Sequence, residues 1–209
     1  MRSILRFHST SVRHRRPIYV AATHQHCGKT TTCLALISGL KKRFPHSIGY
    51  LKPVGQQHVP VFSEQLQKEI RVDKDVTLIR QHFQLEHIDY QHMSPVLIPS
   101  GYTKDYIDGK ISSNDQIDKI QRSYEAIADA NEVVLCEGTG HTAVGSVVDA
   151  SNAKVAHAIG ADMVLVANGG LVSNSGIFIP IIFYLDYGLI LCFVLHHIFC
   201  NFRDPALMS

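Results

Sequence analysis

The chain has 209 residues, of which 45% are hydrophobic and 18% charged. That length and balance allow one folded domain with its own core and exclude a disordered chain. Lys plus Arg number 20 against 18 for Asp plus Glu, which lacks the basic excess of a general nucleic-acid binder, so no nucleic-acid partner is expected. The five cysteines at 27, 33, 136, 192 and 200 are odd in number and show no CxxC spacing, and reduced thiols are expected.

In chain order, residues 1–16, "MRSILRFHSTSVRHRR", hold five arginines and no acid. Such a segment is expected to be a mitochondrial or plastid targeting peptide. A basic disordered arm on a cytoplasmic protein is the alternative. From Pro17, "PIYVAA" predicts a strand, and Thr30 to Arg43 a helix, with Leu34, Ile37 and Leu40 on its apolar side and basic residues at its end. "SIGYLKPV" predicts a second strand stopped by Pro53, Asp75 to Phe83 a short helix, and "MSPVLIP" an extended stretch. "GYTKDYIDGK" is a loop by composition, and Ser112 to Asp129 an amphipathic helix capped by Asn114 or Ser113. "EVVLCEGTGH" is a buried strand ending in a glycine-rich turn, "NAKVAHAIGA" a helix, and "DMVLVAN" another buried strand. Strands alternating with helices predict a parallel three-layer α/β sheet with right-handed crossovers and ligands at the carboxyl ends of its strands.

The stretch "YVAATHQHCGKTTTCLALISGL" places a loop ending in Gly28-Lys29-Thr30 between the first strand and the first helix. That is the setting of a phosphate-binding loop. Backbone N–H groups and the helix amino end would face the phosphates, and Gly28 would let the backbone approach closely. Lys29 would reach the β/γ-phosphates and the Thr30 hydroxyl would ligate Mg²⁺. Thr23 stands where the usual pattern has its first glycine, with small Ala22 before it. Thr23, His24, Gln25, His26, Cys27, Gly28, Lys29, Thr30 and Thr31 are therefore the candidate nucleotide-binding residues. His24, His26 and Cys27 raise a metal site, but no further ligands stand at finger spacing, and loop residues lining a phosphate pocket are the preferred reading. Lys52 follows a strand, and Pro53 holds it extended, aiming it off the strand end. Glu137 ends the apolar run "VVLCE", the usual form of a second Mg²⁺ ligand, and a buried carboxylate there needs a cation or donors. Asp75 opens a helix, where an N-cap is its alternative use. His141 in the glycine-rich turn could be a hydrogen-bonded turn residue or a reacting one.

"AATHQHCGKTTTCLALISGL…IGYLKPVG" resembles the opening of the dethiobiotin synthetase-like P-loop family, which is related to the cobyrinic acid amidating enzymes and to the ParA/MinD ATPases. The lysine that marks ParA/MinD would fall at His24, so that branch fits less well. "SPVLIPSGYTKDYIDGK" and "EGTGHTAVGSVVDASNAKVAHAIGADMVLVANGG" further resemble the related domain at the amino end of some phosphate acetyltransferases. The resemblance runs from about Ile18 to Leu171 and implies a P-loop NTPase fold binding Mg-ATP. It also implies phosphoryl transfer to a carboxylate or carbamate, as in an ATP-dependent ligase, or ATPase activity. Under it Lys29 and Lys52 would offset charge on the transferring phosphoryl group, Thr30, Asp75 (or, by a slipped match, Asp73) and Glu137 would hold Mg²⁺, and Gly138 and Gly140 would let the turn pass close to substrate or metal. A small carboxylic-acid substrate and a homodimer are implied likewise. The alternative is a nucleotide-binding regulatory module with little turnover. "GQQHVPVF" after "KPV" departs from the synthetase's substrate loop.

After "VLVANGGL" the pattern stops. Residues 1–16, 17–171 and 172–209 are thus read as arm, P-loop domain and atypical hydrophobic tail, and the fold is expected to be incomplete at the carboxyl end. Residues 177–195 are nearly all apolar, long enough for a membrane span but interrupted by Pro180 and Asp186. A buried hairpin, "IFIPIIFY" and "LILCFVL" about "LDYG", is a second reading. A segment foreign to the fold is the third and favoured one, with membrane association disfavoured.

Overall fold

The computed structural model describes residues 15–140 and 142–167, with backbone alone at 142–144, and the backbone of 180–184 and 190–194. The expectations on residues 1–14, on His141 and on most of 172–209 lie outside the described residues.

The apolar run after Pro17 forms β1 (Ile18–Ala22), and α1 (Lys29–Arg43) follows the phosphate loop. α1 ends on Lys41, Lys42 and Arg43, which suit the negative end of its dipole. β2 (Ile48–Leu51) is buried throughout, as is β7 (Val133–Glu137), the fate of strands covered on both faces. β8 (Asp162–Val166) completes a set of four parallel strands in the order β8-β1-β7-β2, with Val20 opposite both Glu137 and Val164. Gly49 and Tyr50 show how helices cover this sheet. A Cβ on Gly49 would lie 2.2 Å from Ile127 of α5 (Ser113–Ala128), so the strand needs glycine for that helix to close on it. The next residue, Tyr50, points to the opposite face, where Cys33 of α1 lies under Glu137. The chain is thus the three-layer α/β fold expected, with α1 and α5 on opposite faces.

Between β2 and α5 lies an excursion only partly foreseen. β3 (Val54–Gly55) pairs in parallel with β6 (Val96–Leu97), and β4 (His58–Ser63) pairs antiparallel with β5 (Lys68–Asp73). α2 (Lys74–Phe83) and the single turn α3 (Tyr90–Met93) link them. The 101–110 stretch, expected to be loop, contains the short helix α4 (Tyr102–Ile107), which rests half-buried Tyr102 and Tyr106 on the core but is too short to show a helical period in the sequence. The cap of α5 is Ser112, whose hydroxyl accepts from the Asn114 N–H, one position before the residues expected. α6 (Thr142–Val147) and α7 (Asn152–Ala158) follow the glycine-rich turn.

Within the tail, β9 (Pro180–Tyr184) adds antiparallel to β8, and β10 (Ile190–Val194) adds antiparallel to β9. That pairing is the one the hairpin reading requires; the connecting residues 185–189 lie outside the described residues. Among the described residues no helix is long and apolar enough to cross a membrane.

Candidate functional site

The parallel strands place three chain segments at one rim. β1 runs into the phosphate loop, β2 ends at Lys52, and β7 ends at Glu137, which pairs in register with Val20. Gly28 takes φ 86°, a left-handed conformation that favours glycine, and its carbonyl accepts from the Thr32 N–H at 2.8 Å. α1 has no side-chain N-cap. Its first N–H groups therefore have no capping partner of their own and lie at the positive end of the helix dipole.

A cleft of about 340 Å³ opens here. Gln25, His26, Gly28, Lys29, Thr30 and Thr31 line it from the loop and helix, facing Lys52, Asp75 and Glu137. Thr23, His24, Cys27 and Gly138 are not among its lining residues. The Thr23 N–H donates to the Val166 carbonyl, continuing the ladder to β8, and its hydroxyl lies 3.0 Å from the His24 ring. Cys27 is buried. A Cβ on Gly138 would meet the Asn152 side chain at 2.6 Å, so Gly138 serves packing beneath the turn, while Gly140 is the turn glycine that faces the cleft.

Electrostatics divide the cleft in two. On one side Lys52 sits among three carboxylates: its ammonium is 3.0 Å from Asp73 Oδ1 and 3.5 Å from Glu137 Oε1, and it also pairs with Asp75 Oδ2. Burial alone would lower the Lys52 pKa, but Glu137, Asp73 and Asp75 outweigh it and raise the group well above the lysine range. Glu137 is 1% exposed and satisfied on both oxygens: Thr30 Oγ1 donates to Oε1 at 2.9 Å and Tyr50 Oη to Oε2 at 2.8 Å. Burial and then Glu137 push the Tyr50 phenol upward, which keeps it a donor.

Asp73 is the residue that sequence reasoning weighed only as a slipped match. It, not Asp75, is the N-cap of α2: Oδ1 accepts from the Asp75 N–H at 3.0 Å and Oδ2 from the Gln56 N–H at 2.9 Å. Gly55 makes room for it, since a Cβ there would lie 2.7 Å from Asp73 Cβ. Asp75 occupies the first turn instead, its carboxylate turned to Lys52. The signal was present in the spacing Asp73-Lys74-Asp75 before a helical run, where the earlier acid fits the cap. Thr139, the middle of the glycine-rich turn, and Gln56 and Gln57, in the stretch that departs from the synthetase's substrate loop, also line the cleft, although none of the three was singled out in the sequence.

On the other side stands Lys29, 7% exposed and with no ion pair or hydrogen bond from its side chain among the described residues. Burial, and secondarily Lys52, lower its pKa, against an opposing pull from Glu137. A buried ammonium without a partner is costly unless an anion joins it.

Among the described residues no group of three or more His, Cys, Asp or Glu side chains stands ready to hold a metal ion. The Thr30 hydroxyl and the Glu137 carboxylate are nonetheless adjacent hard oxygen donors beside an unpaired lysine. That set suits Mg²⁺, which takes one or two protein oxygens and fills its remaining positions with phosphate and water.

Comparison with known proteins agrees with this geometry. Over 158 residues the chain is 27% identical to a phosphate acetyltransferase of Nitratidesulfovibrio vulgaris, a match covering 73% of this chain and 20% of that protein. The chain thus spans about a fifth of the length of that relative. Residues 16–178 match the family described as AAA domain, a P-loop NTPase family. With loop, lysine and strand-end acid gathered at one rim and most of its length matched, the chain belongs to that AAA-domain family of P-loop nucleotide-binding proteins.

Proposed function

We propose that the cleft binds ATP as its magnesium complex and transfers the terminal phosphoryl group to a small carboxylate or carbamate. The observation that carries the reading is Lys29: a buried, unpaired ammonium at an uncapped helix amino end, behind a left-handed glycine. Each of these features lacks a negative partner, and a triphosphate supplies one to all of them. Thr30 and Glu137 would hold Mg²⁺, which when bound offsets phosphate charge. Lys29 positions the β/γ-phosphates, and Lys52, across the cleft, faces the place where charge develops on the transferred group. Asp73 and Asp75 hold Lys52 protonated and in place.

Calorimetric titration of Mg-ATP into wild type and Lys29→Ala tests this. The substitution removes a charge-assisted contact of about 1.5–3 kcal/mol, so affinity should fall roughly tenfold or more. Equal affinity in both proteins would sink the assignment. A second reading, a regulatory nucleotide-binding module, is favoured by the match to only a segment of a much longer phosphate acetyltransferase. ATP turnover that rises on adding diaminopelargonic acid with bicarbonate supports transfer; binding without stimulated turnover supports the module.

A further inference from the structure

A second cleft, of about 630 Å³, lies between β5, α3 and α5. Its size is within the range of small-molecule sites. Lys68 from β5, His92 from α3, and Lys119 with Arg122 from α5 line it, and no carboxylate does. Lys119 and Arg122 are three residues apart on α5 and so share one face. Arg71, also in the lining, turns its guanidinium toward His58 at 3.3 Å. The side chains of Lys68, Lys119 and Arg122 have no ion pair or hydrogen bond among the described residues.

Two further observations point to a ligand. Ser123 lines the cleft, is only 6% exposed, and its hydroxyl has no partner among the described residues. Its oxygen is open to solvent rather than buried, so it is free to bond a ligand in the cleft. Beside this polar end, Ile70, Pro95, Leu97 and the half-buried ring of Tyr102 form an apolar wall. Exposed cations alone would be a solvated surface; cations, an unbonded hydroxyl open to the cleft and an apolar wall in one concavity match an amphiphilic anion.

We propose that this cleft is a second ligand site, separate from the nucleotide cleft, for an organic phosphate monoester with an apolar or aromatic body. Lys68, Lys119 and Arg122 meet the dianionic head, Ser123 donates a hydrogen bond to one of its oxygens, and the body lies against Leu97 and Tyr102. Three cations and a hydroxyl suit the several oxygens of a phosphate better than the two of a single carboxylate.

The test uses phenyl phosphate as probe, titrated by calorimetry into the full chain without magnesium. Wild type should bind it, and Lys119→Gln/Arg122→Gln should weaken binding at least tenfold. Glutamine keeps helix propensity at these exposed positions, and circular dichroism checks the fold. Ser123→Ala, which removes one hydroxyl, should weaken binding several-fold and decides the matter if the double variant misfolds. Lys29→Ala should leave binding unchanged. Absence of binding to wild type, equal binding by all the variants, or loss in Lys29→Ala alone would each overturn the proposal, the last by placing the probe in the nucleotide cleft.

Discussion

The two clefts hold similar numbers of cations and differ in what surrounds them. In the nucleotide cleft Lys52 is buried and locked to Asp73, Asp75 and Glu137, and even Thr30 and Tyr50 are committed to Glu137. In the second cleft the cations stand at an exposed rim with no acid among the lining residues. Burial explains the difference. A charge removed from water is costly unless paired, so the first cleft carries the counter-ions of Lys52 as part of the fold and leaves Lys29 for the charge of a ligand, whereas exposed lysines keep their hydration and need none. The clefts also share a wall: Ser94 lines the second, and its hydroxyl accepts from the N–H of Asp73, which lines the first. One cleft is therefore expected to report its charges mainly through stability, the other mainly through binding.

The largest expected effect lies in the first cleft. Lys52→Met leaves three carboxylates facing one another, with Asp73 2% and Glu137 1% exposed. Removing one partner of a buried ionic cluster costs about 3–5 kcal/mol. Urea unfolding should show that loss, and millimolar Mg²⁺ should return part of it, because a divalent cation can replace the missing ammonium. Wild-type stability in the variant would show that the cluster does not hold the fold, and the contrast between the clefts would fail.

A smaller effect distinguishes the two lysines within that cleft. Lys52 has its pKa raised in the folded state, so its stabilising contribution is fully present below the unfolded value of about 10.4 and is lost only as pH rises through the still higher folded value. Lys29 has its pKa lowered, so folding is penalised while it stays charged, and that penalty fades as pH rises from the depressed value toward about 10.4. Neither lysine should lower the thermal midpoint between neutral pH and pH 10. As pH rises through the depressed Lys29 value, Mg-ATP affinity should fall, by up to about tenfold per pH unit once Lys29 loses its proton. Calorimetry at several pH values beside thermal melts checks this, and affinity falling only together with the melting temperature would contradict it.

Much of the first cleft was legible in the sequence, and almost none of the second. Strand, glycine, lysine, threonine and helix occur consecutively in residues 18–43, so local pattern carried the phosphate loop. Glu137 was legible because an acid at the end of a fully apolar strand has few other uses. Asp73 was misjudged because helix boundaries are the least certain part of a pattern and a cap differs from a first-turn acid only in backbone angle. The β4–β5 hairpin escaped because it buries little: its strands show mostly exposed or half-exposed positions, and Pro60 interrupts the first. The second cleft depends on that hairpin meeting α3 and α5, and Lys68, His92 and Arg122 have no sequence proximity to announce it. The tail was judged by its break with the family pattern, while the strand-forming character of 180–184 and 190–194 was the better guide to its backbone.

The smallest expected effect completes the comparison. Lys119 and Arg122 are exposed, unpaired among the described residues, and of like charge three residues apart on α5. Their replacement removes no buried partner, and the mutual repulsion it relieves is offset by the attraction each loses to the acid four residues before it, Asp115 and Asp118, every such pair being worth about 0.2–0.5 kcal/mol. The stability of Lys119→Gln/Arg122→Gln should therefore lie within about 0.5 kcal/mol of wild type. Urea unfolding beside Lys52→Met makes the comparison direct. A loss above about 1 kcal/mol would mean that these side chains carry packing through their aliphatic stems, and their cations would then be fixtures of the fold like Lys52 rather than groups left free for a ligand.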